Sequence, residues 1–277
     1  MMSDNEILAL ITLLDDEDEE IVQQVENQIY KLGVLAIPFI ESQLKNEKEG
    51  VRKQRIENIL RSLRHQDLKS KLDAWRTYES NDLLKGIWLV NSYHNSAISY
   101  EKLYLEIEQM FYDVWVDFKF NLHPLDEVRI LNTVFFDKLR FRSNSLQFHV
   151  ITNSMLDAVI DTKKGNPISL CIIYMLIAQK LRLPIKGVNL PNIFILTYKS
   201  PQIQFYVNVF NRGAVLSRAE IEHYISELKM PHLPEYYEPC SNLDIVKRVL
   251  RNMHIAYEKN GETDKMKDID EFLEILK

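Results

Sequence analysis

The stretch Asn166-Pro167-Ile168-Ser169-Leu170-Cys171-Ile172-Ile173-Tyr174-Met175-Leu176-Ile177-Ala178 decides the fold of this chain. Asparagine is a favoured helix cap and proline suits the first helical position, so this order predicts a helix that begins sharply at Pro167. Apolar side chains then cover every face of the helix, which is expected to end at Arg182-Leu183-Pro184. A helix that is apolar all round lies in the middle of a domain, so other elements should surround it.

Beyond this helix the apolar residues change from the period of a helix to the period of a strand. Gly187–Tyr198 and Gln202–Phe210 are predicted to form an antiparallel hairpin, with its turn at Ser200-Pro201. Ala214–Leu216 is predicted to form a third, short strand. The sequence therefore predicts a buried central helix followed by a small antiparallel sheet.

This order of elements is typical of papain-like cysteine enzymes. In such enzymes the nucleophile stands at the start of the helix, where the helix dipole lowers the pKa of its thiol. A histidine on the first strand is the base, and an aspartate or asparagine on the next strand orients that histidine.

Two segments of the sequence resemble the SirB family of transglutaminase-like proteins, to which a domain of an F-box protein is related. They are residues 165–170 (GNPISL) and residues 183–191 (LPIKGVNLP). The resemblance covers about residues 85–235 and is supported by Leu131-Asn132 and Asn153-Ser154. It implies a transglutaminase-like, papain-like core, followed by a helical pair of the tetratricopeptide type, in a bacterial protein.

The sequence lacks the expected catalytic residue at three positions, two of which depart from the SirB pattern itself. Counting back from Pro184 puts the nucleophile of true transglutaminases near Pro167, and the SirB family commonly lacks that cysteine too. Where the resemblance implies a histidine on the first strand, this chain has Ile193, and where it implies an aspartate on the second, it has Asn208. Isoleucine cannot accept a proton, so a cysteine–histidine mechanism has no base at that position. The sequence predicts a degenerate site.

Three other residues are candidates for a displaced triad. Cys171 and Ser169 lie near the start of the buried helix, and His149 precedes that helix in the chain. The ordinary interpretation is that Cys171 is a small core residue and Ser169 a hydroxyl of the first turn. The alternative is a residual cysteine or serine hydrolase, or an acyltransferase, in which His149 serves Cys171 or Ser169 as the base.

The two ends of the chain are predicted to be helical. Val25–Leu32 and Ile56–Leu63 form a weak repeat, and the segment between them resembles the junction of HEAT-type repeats. Residues 1–80 are therefore predicted to form a HEAT-like helical region. The transglutaminase-like core occupies residues 81–235, and residues 236–277 form the tetratricopeptide-like helical pair.

Composition excludes several classes of function. The 277 residues carry a net charge of −6, whereas a general nucleic-acid binder usually has a basic surplus. Two cysteines and seven histidines without metal-ligand spacing predict no metal site, and the few glycines form no phosphate-binding loop, so no cofactor is expected. The start of the chain lacks the basic region of a signal peptide, and no apolar run is long enough to span a bilayer. We expect a cytoplasmic protein without membrane or nucleic-acid partners.

Together these observations predict an α+β protein that is mostly α. The leading functional hypothesis is a non-catalytic interaction or regulatory module with a protein partner. The residual hydrolase is the alternative, and a small-molecule binder that uses the emptied cleft is a third possibility.

Overall fold

The computed structural model describes residues 4–45, 50–119, 122–146 and 150–277. The chain divides into two compact units, residues 1–73 and residues 74–277. Residues 236–277 belong to the second unit, together with the core.

The helices are α1 (Asp4–Thr12), α2 (Glu19–Leu32), α3 (Ile37–Leu44), α4 (Val51–Ala74), α5 (Leu83–His94), α6 (Tyr100–Trp115), α7 (Pro124–Asn132), α8 (Leu156–Thr162), α9 (Pro167–Lys180), α10 (Arg218–Glu227), α11 (Asn242–Lys259) and α12 (Thr263–Ile275). The strands are β1 (Arg142–Ser143), β2 (Lys164–Gly165), β3 (Ile185–Val188), β4 (Ile195–Lys199), β5 (Gln204–Asn208) and β6 (Ala214–Leu216).

The first unit consists of helices that share one apolar core. The two members of the sequence repeat fall on α2 and α4. Val25 and Ile29 from the first member, and Ile56 and Leu60 from the second, are buried in the same cluster. Equivalent positions of the repeat therefore contribute to one core, while the HEAT-type arrangement stays a prediction.

The second unit is built around α9. The side chain of Asn166 caps the helix by accepting the backbone N–H of Ser169 at 3.0 Å, and Pro167 occupies the first turn, as the sequence predicts. Every residue from Pro167 to Ala178 is buried. Helices α6, α8 and α11 pack against α9, as do strands β3 and β4. Because α9 has no polar face, each of these neighbours covers a side of it that would otherwise meet water.

The sheet beside α9 has the order β3-β4-β5-β6, with every neighbouring pair antiparallel. The prediction of a single strand over Gly187–Tyr198 is wrong, because this stretch forms β3 and β4 with a loop at residues 189–194. Pro191 lacks a backbone N–H for a ladder, and Asn192 has a left-handed φ of +62°. These two residues end the extended conformation and let β4 turn back on β3.

The two faces of the sheet meet different partners. Helix α9 packs against β3, β4 and the turn at Val209–Asn211. On the other face, Ile221 and Ile225 of α10 join a cluster with Val188, Ile195 and Tyr206. The sheet thus lies between the central helix and α10, which gives the predicted mostly helical α+β fold.

Polar contacts join the end of α5 to the C-terminal helices. The hydroxyl of Tyr93 donates to Asp268 at 2.7 Å, and its ring meets Phe272 edge-on. His94 Nδ1 lies 3.0 Å from the hydroxyl of Tyr257. Within the described ranges, no helix is both long and apolar enough to cross a membrane.

Replacing the cap of α9 should destabilise the protein more than replacing an exposed cap. Asn166→Ala removes the acceptor for Ser169 N–H, and it leaves Ser154 Oγ without the 2.9 Å bond from Asn166 Nδ2. A lost cap costs about 1 kcal/mol and a buried unpaired hydroxyl about 1–2 kcal/mol, so we expect a loss of roughly 2–3 kcal/mol in urea unfolding. Ser217→Ala, at the exposed cap of α10, is the control, with about 1 kcal/mol expected. Equal losses would contradict the prediction.

The stability of the second unit should depend on pH through His94. Burial lowers the pKa of His94 and the Lys265 ammonium lowers it further, while Glu262 and Asp157 act in the opposite direction. The unfolded chain then binds the proton more tightly, so the free energy of unfolding should fall as the pH drops below about 6.5. His94→Gln should flatten this dependence in urea titrations across that pH range. Identical slopes for the two proteins would be evidence against this role of His94.

Candidate functional site

The start of α9, where the resemblance implies a nucleophile, is closed by packing. Pro167 stands at that position, is buried and has no reactive group. Ser169 is also buried, and its hydroxyl donates to the backbone oxygen of Asn166 at 3.2 Å. A side chain on Gly165 would place its Cβ 2.5 Å from Ser169 Oγ, so glycine is required there. This end of the helix is a tightly packed junction of backbone and small side chains.

Cys171 lies one turn further along α9 and is fully buried. Its thiol donates to the backbone oxygen of Phe194 at 3.6 Å. Burial raises the pKa of Cys171, and the nearby backbone N–H of Val209 opposes this only in part. The helix-start environment that would favour a thiolate is therefore outweighed by the loss of solvation.

Ile193, where the resemblance implies a base, lies in the loop before β4 and is partly buried. It packs against a cluster on the α10 side of the sheet. The buried members of that cluster are Val188, Leu190, Ile195, Tyr206, Ile221, Ile225, Tyr236 and Tyr237. Its neighbour Phe194 carries the oxygen that contacts Cys171. The structure thus brings the backbone of this segment to α9, while the Ile193 side chain belongs to the apolar layer against α10.

Asn208, where the resemblance implies an orienting residue, ends β5 and caps the turn that follows. Its side-chain oxygen accepts the backbone N–H of Asn211 at 3.1 Å, and its backbone oxygen accepts the N–H of Gly213 at 2.9 Å. Both contacts are local to the turn. The next residue, Val209, supplies the backbone N–H near Cys171. His149, the candidate base of the displaced triad, lies outside the described residues.

A chain of polar contacts that the sequence analysis missed joins three elements around α9. The hydroxyl of Tyr174 donates to Asn132 Oδ1 at 2.9 Å, and Asn132 Nδ2 donates to the backbone oxygen of Gly213 at 3.0 Å. Gly213 has a left-handed φ of +71°, and a Cβ there would collide with the Asn132 amide. The Leu131-Asn132 segment and the glycine after β5 are the only local signals of this network, which ties α7 to α9 and to the turn before β6.

Ser226, His232 and Tyr237 form another chain that the sequence did not reveal. Ser226 Oγ donates to the backbone oxygen of Glu222 at 2.8 Å and lies 3.0 Å from His232 Nε2. His232 Nδ1 lies 2.6 Å from the Tyr237 hydroxyl, whose pKa is raised by burial. The phenol therefore donates to Nδ1 and Nε2–H donates to Ser226, an assignment that follows from the partners. In this arrangement the Ser226 proton is directed at the backbone oxygen of Glu222 and not at the imidazole.

Two cavities in the second unit lie away from the helix start. One of about 390 Å³ is lined by Arg218, Glu222, His232, Pro234, Tyr237 and Glu238. Another of about 430 Å³ includes Lys186, Gly187, Cys240 and Ser241 in its lining. Neither lining contains Pro167, Ile193 or Asn208. In the part of the chain that the structure describes, no three histidine, cysteine, aspartate or glutamate side chains are grouped to hold a metal ion.

Comparison with known proteins agrees with this architecture. Residues 101–251 match the family model described as the transglutaminase-like superfamily, which is more than half of the chain. The chain therefore belongs to the transglutaminase-like superfamily.

The similar curated proteins include two bacterial proteins and part of a human protein. A UPF0162 protein of Xylella fastidiosa (strain Temecula1) is 28% identical over 155 residues, which are 52% of this chain and 53% of that relative. A UPF0162 protein of Vibrio cholerae is 22% identical over 180 residues, 62% of this chain and 65% of the relative. F-box only protein 21 of Homo sapiens is 28% identical over 105 residues, 35% of this chain but 17% of that protein.

The matched region is only part of each relative. The chain spans about half the length of the Xylella fastidiosa relatives. No solved structure matches the chain.

The two thiols should react slowly with alkylating reagents in the folded protein. Burial raises the pKa of Cys171, and burial together with Asp244 raises the pKa of Cys240 to about 12, so little thiolate exists at pH 8. We expect iodoacetamide to modify Cys171 at least about a hundredfold more slowly in the folded state than in urea, measured by peptide mass spectrometry. The same sample in urea is the control. Rapid reaction of folded Cys171 at pH 7 would indicate an activated thiolate and contradict the prediction.

Proposed function

We propose that this protein is a non-catalytic member of the transglutaminase-like superfamily that acts as a protein-interaction or regulatory module. The observation that carries the proposal is the burial of Cys171, whose thiol is closed off from solvent and donates to the backbone oxygen of Phe194. A nucleophile must reach its substrate and lose its proton, and this environment opposes both.

The positions where the resemblance implies a base and an orienting residue support the same proposal. Ile193 has no group that accepts a proton, and its packing against the α10 cluster gives it an apolar role. Asn208 uses its side-chain oxygen to cap a turn at 3.1 Å. Each residue therefore has a structural function that does not depend on catalysis.

We also infer a SirB-type bacterial protein of the cytoplasm, with HEAT-like helices before the core and a tetratricopeptide-like pair after it. The UPF0162 relatives from Xylella fastidiosa and Vibrio cholerae support a bacterial origin. In F-box only protein 21 the similar region is a small part of a longer chain, which supports its use as a module. Helical units with large exposed surfaces are well suited to protein partners.

The alternative is a residual hydrolase or acyltransferase that uses Cys171 or Ser169 with His149. The serine would have to leave its bond to Asn166, and the thiol would have to become accessible. We therefore rank this alternative below the non-catalytic function.

Activity assays separate the two functions. The purified chain, Cys171→Ala and Ser169→Ala should give the same background rate of p-nitrophenyl acetate hydrolysis and of amine incorporation into a glutamine peptide. Both substitutions only shorten a side chain by one atom, so circular dichroism should report folded variants. A rate above background that disappears in either variant would overturn the non-catalytic proposal in favour of the hydrolase.

The interaction function has its own test. A partner identified by cross-linking in cells should form a stable complex with this chain when both are purified and mixed. A chain that remains alone with each purified candidate would contradict an interaction function.

A further inference from the structure

A group of cationic side chains lies immediately before α9, where β1 runs parallel to β2. Arg142 and Lys164 are direct partners in this ladder, and the backbone N–H of Arg142 donates to the oxygen of Lys163 at 2.9 Å. Neighbouring strands are about 4.8 Å apart, so the two cationic residues start from adjacent backbone positions. We call Arg140, Arg142, Lys163 and Lys164 the basic patch.

The basic patch lacks internal compensation for its charge. Arg140, Arg142 and Lys164 are exposed, and none of them forms an ion pair with a residue that the structure describes. Other cations of the second unit do have such partners, namely Lys138 with Asp117, Lys180 with Glu108 and Arg212 with Asp137. Like charges directly opposite each other in a ladder destabilise it, so the patch costs stability in the free protein.

The backbone holds two of these cations in an unfavourable conformation. Arg140 has a φ of +64° and Lys163 a φ of +58°, where glycine would be less strained. The ammonium of Lys163 lies over the ring of Phe141 at 4.8 Å, and Phe141 is itself buried against Phe135. The core thus fixes the position of the patch through Phe141, and the cation–π contact of Lys163 is the contribution that its charge makes to the fold.

We propose that the basic patch is a docking surface for an acidic segment of a partner protein. The proposal rests on the interaction function above and specifies the chemistry of its partner. Arginine and lysine bind carboxylates through charge-assisted hydrogen bonds, and a bound acidic segment would offset the repulsion between Arg142 and Lys164. The patch is positive, whereas the chain as a whole carries a net charge of −6. This local difference in charge gives the surface its selectivity for acidic segments.

An acidic peptide fits the surroundings better than a nucleic acid does. The patch extends over only two short segments, whereas a nucleic acid is usually bound by a longer basic stripe. Leu146, shortly beyond β1, is 97% exposed, and Val150 is also exposed. Exposed apolar side chains shortly after β1 in the chain suit a peptide that mixes carboxylates with leucine-type residues.

The test is fluorescence anisotropy with a labelled peptide of repeated Glu-Glu-Leu triplets. The intact chain should bind this peptide, and the same peptide with glutamine in place of glutamate should not bind. Arg142→Gln/Lys164→Gln should weaken binding about tenfold, which corresponds to roughly 1.4 kcal/mol. Arg142→Lys/Lys164→Arg keeps both charges and should retain binding.

A matched control distinguishes the patch from net charge. Arg251→Gln/Lys259→Gln removes the same charge from α11 and should leave binding unchanged. Arg140→Gly/Lys163→Gly removes two cations and relieves two left-handed conformations, so we expect a variant that is folded by circular dichroism and binds the peptide more weakly.

Several results would overturn the proposal. No binding of the peptide, or equal weakening by both glutamine pairs, would exclude specific recognition by the patch. Tighter binding of a labelled single-stranded oligonucleotide, lost with Arg142 and Lys164, would assign the surface to nucleic acid. Self-association of the purified chain through the patch would identify a second copy as its occupant. A negative result for the basic patch leaves the proposed function intact, because the activity assays and the reconstituted complex test that function separately.

Discussion

The all-round burial of α9 is the constraint on which the second unit depends. A fully buried isoleucine or leucine contributes about 1.5–3 kcal/mol through the hydrophobic effect, and α9 carries such residues on every side. It therefore needs a neighbour in each direction, supplied by the sheet on one side and by α6, α8 and α11 on the others. Burial of α9 also takes polar groups away from water. The Asn166 cap and the hydrogen bonds that run from Tyr174 through Asn132 to Gly213 satisfy such groups.

The same burial shapes the chemistry of the site. In an active papain-like enzyme the start of the central helix is open to substrate and supports a thiolate. Here Pro167 and Ser169 are enclosed, and Cys171 has its pKa raised by the loss of solvation. Packing that stabilises the helix thus opposes catalysis at its start.

With the interior occupied by structural contacts, the distinctive features of the second unit lie on its surface. Lys138 and Lys180 each have a carboxylate partner, whereas Arg142 and Lys164 of the β1–β2 ladder have none among the described residues. The difference has an energetic consequence, because adjacent like charges raise the free energy of the folded chain. Stability alone gives no reason to keep Arg142 opposite Lys164, whereas recognition of an acidic segment does.

The sequence by itself determined the central helix, its cap, the strand at Ala214–Leu216 and the absence of a proton acceptor in the side chain of residue 193. These properties are local, since Asn166-Pro167 defines a helix start and isoleucine cannot act as a base in any environment. Only the tertiary structure decided that Pro191 and Asn192 divide one expected strand into two, and that Ile193 packs towards α10. It also decided that Asn132 meets Gly213 and that Arg142 stands opposite Lys164. Such pairings join residues far apart in the chain, and hydrophobic periodicity records which face of an element is buried but not what buries it.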